Sequence, residues 1–114
     1  MNILDVVNSD NNLSNYYQVI LKLCSDNNYS LQLEYKLPAD PIPNLGYFSD
    51  NINHGVIKVS AELDFNDQIS CIAHELAHVE LVLNPNIEQN LSSFGDDLNN
   101  YIDKVYFDGH FITR

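Results

Sequence analysis

Basic residues are scarce in this 114-residue chain: five Lys and Arg stand against 16 Asp and Glu, a formal net charge of −11. Arg114 is the only arginine. A surface of that sign excludes the usual binder of nucleic acid, which neutralises phosphates with Lys and Arg, and argues equally against an anionic membrane surface. Cysteine is scarce too. Cys24 and Cys71 are too few for a disulfide framework and point to free thiols in a cytoplasmic setting. No apolar run approaches the roughly 18 residues of a membrane span. Residues 1–10 hold two acidic and no basic side chains, which does not fit a secretory or transit leader.

Hydrophobic residues make up 45% of the chain and aromatics 11%. That is enough for a small globular core, expected as one domain over residues 1–114. A core of this size gains noticeably from a bound metal. Sixteen asparagines beside one arginine point to an AT-rich coding sequence, bacterial or phage.

Asn8 to Asn12 is a run of Asn, Ser and Asp that reads as a helix cap. The alternation of Asn8, Asp10 and Asn12 imitates the start of a calcium loop, but Leu13 stands where such a loop needs glycine. From Leu13 to about Asn27, the residues Leu13, Tyr16, Tyr17, Ile20, Leu23 and Cys24 recur at helical spacing. Tyr29 to Leu37 alternates apolar and polar, predicting a strand with one buried face. Pro38, Pro41 and Pro43 then interrupt regular structure.

Tyr47-Phe48 and His54 to Ser60 read as two further strands across a turn at Ser49 to Asn53, a candidate hairpin. Asn66 or Asp67 is placed to cap the next helix, which Asn84-Pro85 ends. Its apolar stripe is Ile69, Ile72, Leu76, Val79 and Leu83. A last helix is expected over Asp96 to Tyr106, with Leu98, Ile102 and Val105 inward. The order α-β-β-β-α-α predicts a small α+β domain with a mostly antiparallel sheet of about three strands against helices.

The stripe leaves His74 and His78 together on another face of their helix, within His74-Glu75-Leu76-Ala77-His78. Residues four apart lie one turn above each other, so two neutral imidazoles can bind one zinc ion. Glu75, rotated about 100° from His74, is placed to act on a water in the open position as general base. A chain of this composition meets the pattern by chance at roughly half a percent, and two ordinary helix histidines are the plain alternative.

The segment Ile72-Ala73-His74-Glu75-Leu76-Ala77-His78-Val79-Glu80 resembles the active-site helix of zincin metallopeptidases. Gly46-Tyr47-Phe48 and Gly55 to Ser60 before it resemble the strand–strand–helix core of that superfamily. Small proteins of this kind resemble minimal gluzincins and the metallopeptidase domains of ImmA/IrrE type. The resemblance spans roughly residues 29 to 106 and implies a zincin-like fold. It also implies zinc held by His74 and His78, with Glu75 as catalytic base and a polypeptide substrate.

Metzincins place a third histidine six residues after the second. Asn84 stands there, which excludes them. Gluzincins place a glutamate on the following helix, and no glutamate follows Glu88 here. Glu88 leaves little chain to turn back, whereas Asp97 lies far enough on for a loop and a returning helix. Asp97 therefore ranks first as third ligand, then Asp96, then Glu88. The plain alternative for Asp96 and Asp97 is an acidic first helical turn.

Cys71, three residues before His74, is a further candidate ligand, with a small buried residue as the favoured alternative. Tyr101, Tyr106 and His110 are candidates for stabilising an oxyanion. His54 reads as a turn residue. Glu80 reads as solvated, or as supporting a ligating histidine from outside.

The expected function is a zinc-dependent metallopeptidase, its substrate lying along Gly55 to Ser60 taken as an edge strand. Two alternatives stand beside it. One is a non-catalytic acidic binding or decoy protein steered to a basic partner by its charge. The other is a pseudo-peptidase that keeps the metal without cutting.

Overall fold

The computed structural model describes residues 2–36 and 46–83. Six elements follow in order: α1 (Ile3–Ser9), α2 (Asn11–Asp26), β1 (Ser30–Tyr35), β2 (Gly46–Asn51), β3 (His54–Val59) and α3 (Phe65–Leu83). The α+β class expected from the sequence is what these residues form.

Helix α1 had no counterpart in the sequence reading. Its start is nevertheless well specified. Asn2 Oδ1 accepts from the Leu4 N–H at 3.0 Å, and the Asp5 carboxylate accepts from the Asn2 N–H at 3.1 Å. Two orphan donors are thereby satisfied at once. Asp10 then ends one helix and begins the next. Its N–H donates to the Val7 carbonyl, and its carboxylate accepts from the Leu13 N–H at 2.9 Å. The Asn8–Asn12 run is thus a joint between two helices, and its acidic side chain is engaged as a cap.

Asn27 and Asn28 stop α2. Asn28 adopts φ 54°, and the Tyr29 and Asn28 N–H groups donate back to the Cys24 and Ser25 carbonyls. This is a Schellman closure with asparagine in the left-handed position, where glycine is commoner. It turns the chain directly into β1.

The three strands form one sheet in the order β1-β3-β2. β1 runs parallel to β3, with Leu33 opposite Ile57, and β2 runs antiparallel to β3, with Phe48 opposite Ile57. The expectation of a mostly antiparallel sheet is therefore corrected to a mixed one. Alternation along a strand reveals which face is buried but not which neighbour pairs. The stretch between Tyr35 and His54 is long enough for the crossover that a parallel pair requires.

The same topology corrects the expected substrate strand. β3 is central and hydrogen-bonded on both sides, so Gly55 to Ser60 is no edge. The hairpin is also tighter than expected. Ser49, Asp50 and Asn51 extend β2, and only Ile52 and Asn53 turn, with Asn53 at φ 59°. His54 is the first residue of β3, opposite Asn51 and Ser30, and not part of the turn.

One face of the sheet carries Leu31, Leu33, Tyr35, Phe48, Ile57 and Val59 into the core. Gly55 shares that face. A Cβ there would lie 2.6 Å from Phe48 Cε1 and 2.9 Å from Tyr29 Cε1, so the two rings close over the backbone. Tyr29 in turn donates its hydroxyl to Asp50 at 2.6 Å. Helix α3 packs on β2 and β3, while α1 and α2 pack on β1 and on α3. From α2, Leu13, Tyr16, Ile20 and Cys24 are buried as the sequence stripe predicts.

Cys24 is one of the core residues, and burial pushes its thiol from the ordinary 9.0 up to about 11, partly opposed by a backbone hydrogen bond. The folded chain then holds this proton more tightly than the unfolded chain does. Its contribution to stability is full below pH ~9 and is lost as pH rises to ~11. Urea unfolding should show a midpoint that falls over this window, and falls less in Cys24→Ala. An identical pH dependence in the variant would contradict that assignment. Burial raises the Tyr17 and Tyr35 phenols in the same direction, so part of the fall persists without Cys24.

Candidate metal centre

Helix α3 carries the candidate site. Its cap is Asp64 rather than Asn66 or Asp67: the Asp64 carboxylate accepts from the Asp67 N–H at 2.8 Å. Next to the cap, Gln68 donates to the Leu63 carbonyl and accepts from the Tyr35 hydroxyl, which ties the helix start to β1. From there Ile72, Leu76 and Val79 run along the expected stripe, all fully buried.

Burial extends well beyond that stripe. Ala73, Glu75, Ala77, His78, Glu80 and Leu81 are buried too. The helix is therefore enclosed on two flanks, between the sheet and the α1–α2 pair. His78 is 3% exposed and Glu75 6%, whereas His74 is half-buried.

The two imidazole centroids lie 4.9 Å apart with their planes at 77°. At about 100° per residue, His74 and His78 lie within ~40° of each other around the axis, and Glu75 lies ~60° from His78. Cys71 shares this flank. Its Sγ occupies the notch at Gly46, where a Cβ would fall on the sulfur. Since Gly46 opens β2, the flank with Cys71, Glu75 and His78 is the one turned toward β2.

The thiol of Cys71 is pushed up to about 12, first by burial and then by the nearby charge of Glu75. Without a metal the thiol is therefore held protonated. Cys71 is half-buried.

Catalytic zinc takes three protein ligands and keeps a fourth position open. The donor chemistry of the pair fits zinc: two imidazoles one turn apart on one flank, with a carboxylate beside them. Among the described residues, no group of three His, Cys, Asp or Glu side chains is arranged to hold an ion. Asp97, Asp96 and Glu88, ranked as third ligand, lie outside the described residues. So do Tyr101, Tyr106, His110 and the helix expected over Asp96 to Tyr106.

Glu80 is the clear departure from expectation. It is 2% exposed, not solvated, and its Oε1 accepts from the Tyr16 hydroxyl at 2.7 Å. The signal was present in the sequence, because Glu80 sits between Val79 and Leu81 in an otherwise apolar end of the helix. Its partner, 64 residues away, was not visible there.

Compared with protein-family models, curated proteins and solved structures, the chain matches none. Among the described residues, no helix is long and apolar enough to cross a membrane.

Proposed function

We propose that this chain is a zinc-dependent metallopeptidase in which His74 and His78 hold the metal and Glu75 is the general base. The observation that carries the reading is the pair of imidazoles at 4.9 Å with Glu75 buried on the same flank. Asp97 is the proposed third ligand. Bound zinc would supply a Lewis acid, acidifying water and polarising the scissile carbonyl.

The chain's own residues would do the rest. Glu75 takes a proton from the attacking water and passes it to the leaving amine. Its burial keeps competing solvent from the carboxylate and strengthens its electrostatic effect. The polypeptide substrate would lie along the side of β2 that pairs with no other strand among the described residues, β2 being the strand whose Gly46 covers Cys71 on the proposed catalytic flank. An extended peptide can add to a sheet edge through main-chain hydrogen bonds.

Incubating the zinc-loaded chain with an unstructured polypeptide tests this. Cleavage that a chelator stops, and that Glu75→Gln lacks, is the expected result. Cleavage indifferent to both would overturn the mechanism.

A further inference from the structure

The geometry points to Tyr16 and Glu80 as a buried lock that sets the rotation of α3, and with it the aim of the two histidines. The inference rests on the metal reading for its consequence, but its structural part stands apart from it. Tyr16 is fully buried and Glu80 nearly so, and the 2.7 Å hydrogen bond between them joins α2 to α3.

A buried carboxylate is a poor choice for stability alone. Removing its charge from water costs several kcal/mol, and a well-packed apolar residue is often the more stable solution. What a directional hydrogen bond provides is one preferred setting. The apolar stripe holds the helix through many contacts that carry no direction of their own, and the phenol–carboxylate hydrogen bond adds one that does. Buried polar groups that choose a register are known in helix pairs.

The position of this pair makes the setting matter. Glu80 is two residues beyond His78 and so lies ~160° round the helix axis from it. The Glu80 side of α3 faces α2, and the His78 side is turned toward β2. Turning the helix about its axis would move both side chains together. Holding Glu80 on one side therefore holds His78 on the other. Ala73 and Ala77 flank Glu80 on its side of the helix, and both are fully buried.

Glu80 and Tyr16 are positioning residues on this view, and touch no reacting atom. The test uses the full chain as wild type, Tyr16→Phe, Glu80→Leu and Glu80→Gln. In the metal-free protein, the nuclear Overhauser effect between the His74 and His78 ring protons reports their mutual setting. Zinc affinity is measured by competition with a chromophoric chelator.

Tyr16→Phe and Glu80→Leu should weaken the ring–ring effect and lower zinc affinity about tenfold, the lower end for residues that support ligands indirectly. Glu80→Gln keeps an oxygen that accepts from Tyr16 and should stay near wild type. Unchanged ring contacts and zinc affinity in Tyr16→Phe would overturn the lock, even if the melting temperature fell. A Glu80→Gln variant as impaired as Tyr16→Phe would overturn it as well. Should the wild type take up no zinc, the metal reading fails, and the ring–ring effect alone decides the lock. Tyr16→Phe leaves the buried Glu80 carboxylate without this donor, so folding of each variant is checked by circular dichroism, and Glu80→Leu, which leaves no buried charge, decides the lock if Tyr16→Phe does not fold.

Discussion

Replacing Glu75 by glutamine should lower kcat/KM by a factor of about 10²–10⁴ while leaving zinc content and fold intact. Glutamine matches glutamate in size and shape, so the flank of α3 against β2 stays packed. What it lacks is the capacity to take a proton. Glu75 is 6% exposed, so water has little room to substitute for it from bulk. The variant also has a second readout. Part of what holds the Cys71 thiol near 12 is the charge of Glu75, and the neutral amide removes that part. The Cys71 thiol of the metal-free protein should therefore titrate lower in Glu75→Gln, which confirms that the two side chains are neighbours. Equal cleavage by the two proteins would remove Glu75 from the chemistry.

Leu76→Ala should destabilise the fold by about 2–5 kcal/mol, the usual range for truncating a fully buried leucine. Leu76 has no exposed surface and lies on the central apolar stripe of α3. That helix packs against β2, β3, α1 and α2, so a cavity there is felt by both layers. A domain of ordinary stability has about 5–15 kcal/mol in all, so the loss takes a large share. The residue is next to Glu75 in the chain but lies ~100° round the helix from it, so the variant should lose stability first. Urea unfolding measures it. A loss below ~1 kcal/mol would mean that α3 is not the packed centre described above.

Periodic burial was the part of this fold that could be read from residues. Leu31, Leu33 and Tyr35 alternate as expected for a strand with one covered face. Ile72, Leu76 and Val79 mark the inner side of α3. Helix α1 escaped because seven residues are too few to display a period, although Asn2 and Asp5 were in place to cap it. The pairing of β3 between β1 and β2 escaped because a strand's side chains report its faces and not its neighbours.

The site shows the same division. His74 and His78 were legible because helical spacing alone makes four-apart residues neighbours. Glu80 was misread because a charged helix residue is usually solvated, and only the fold brings Tyr16 to it. A third ligand is a long-range matter of the same kind, which spacing along the chain does not determine.

The most direct test of the account is the zinc content of the purified full chain by elemental analysis, beside His78→Ala and Asp97→Ala. The account predicts about one zinc per chain in the wild type, lost in His78→Ala and in Asp97→Ala. Zinc retained in Asp97→Ala would pass the third position to Asp96 or Glu88. Wild-type protein that takes up no zinc, even when zinc is supplied, would contradict the metal centre and leave the acidic binding protein as the better reading of this chain.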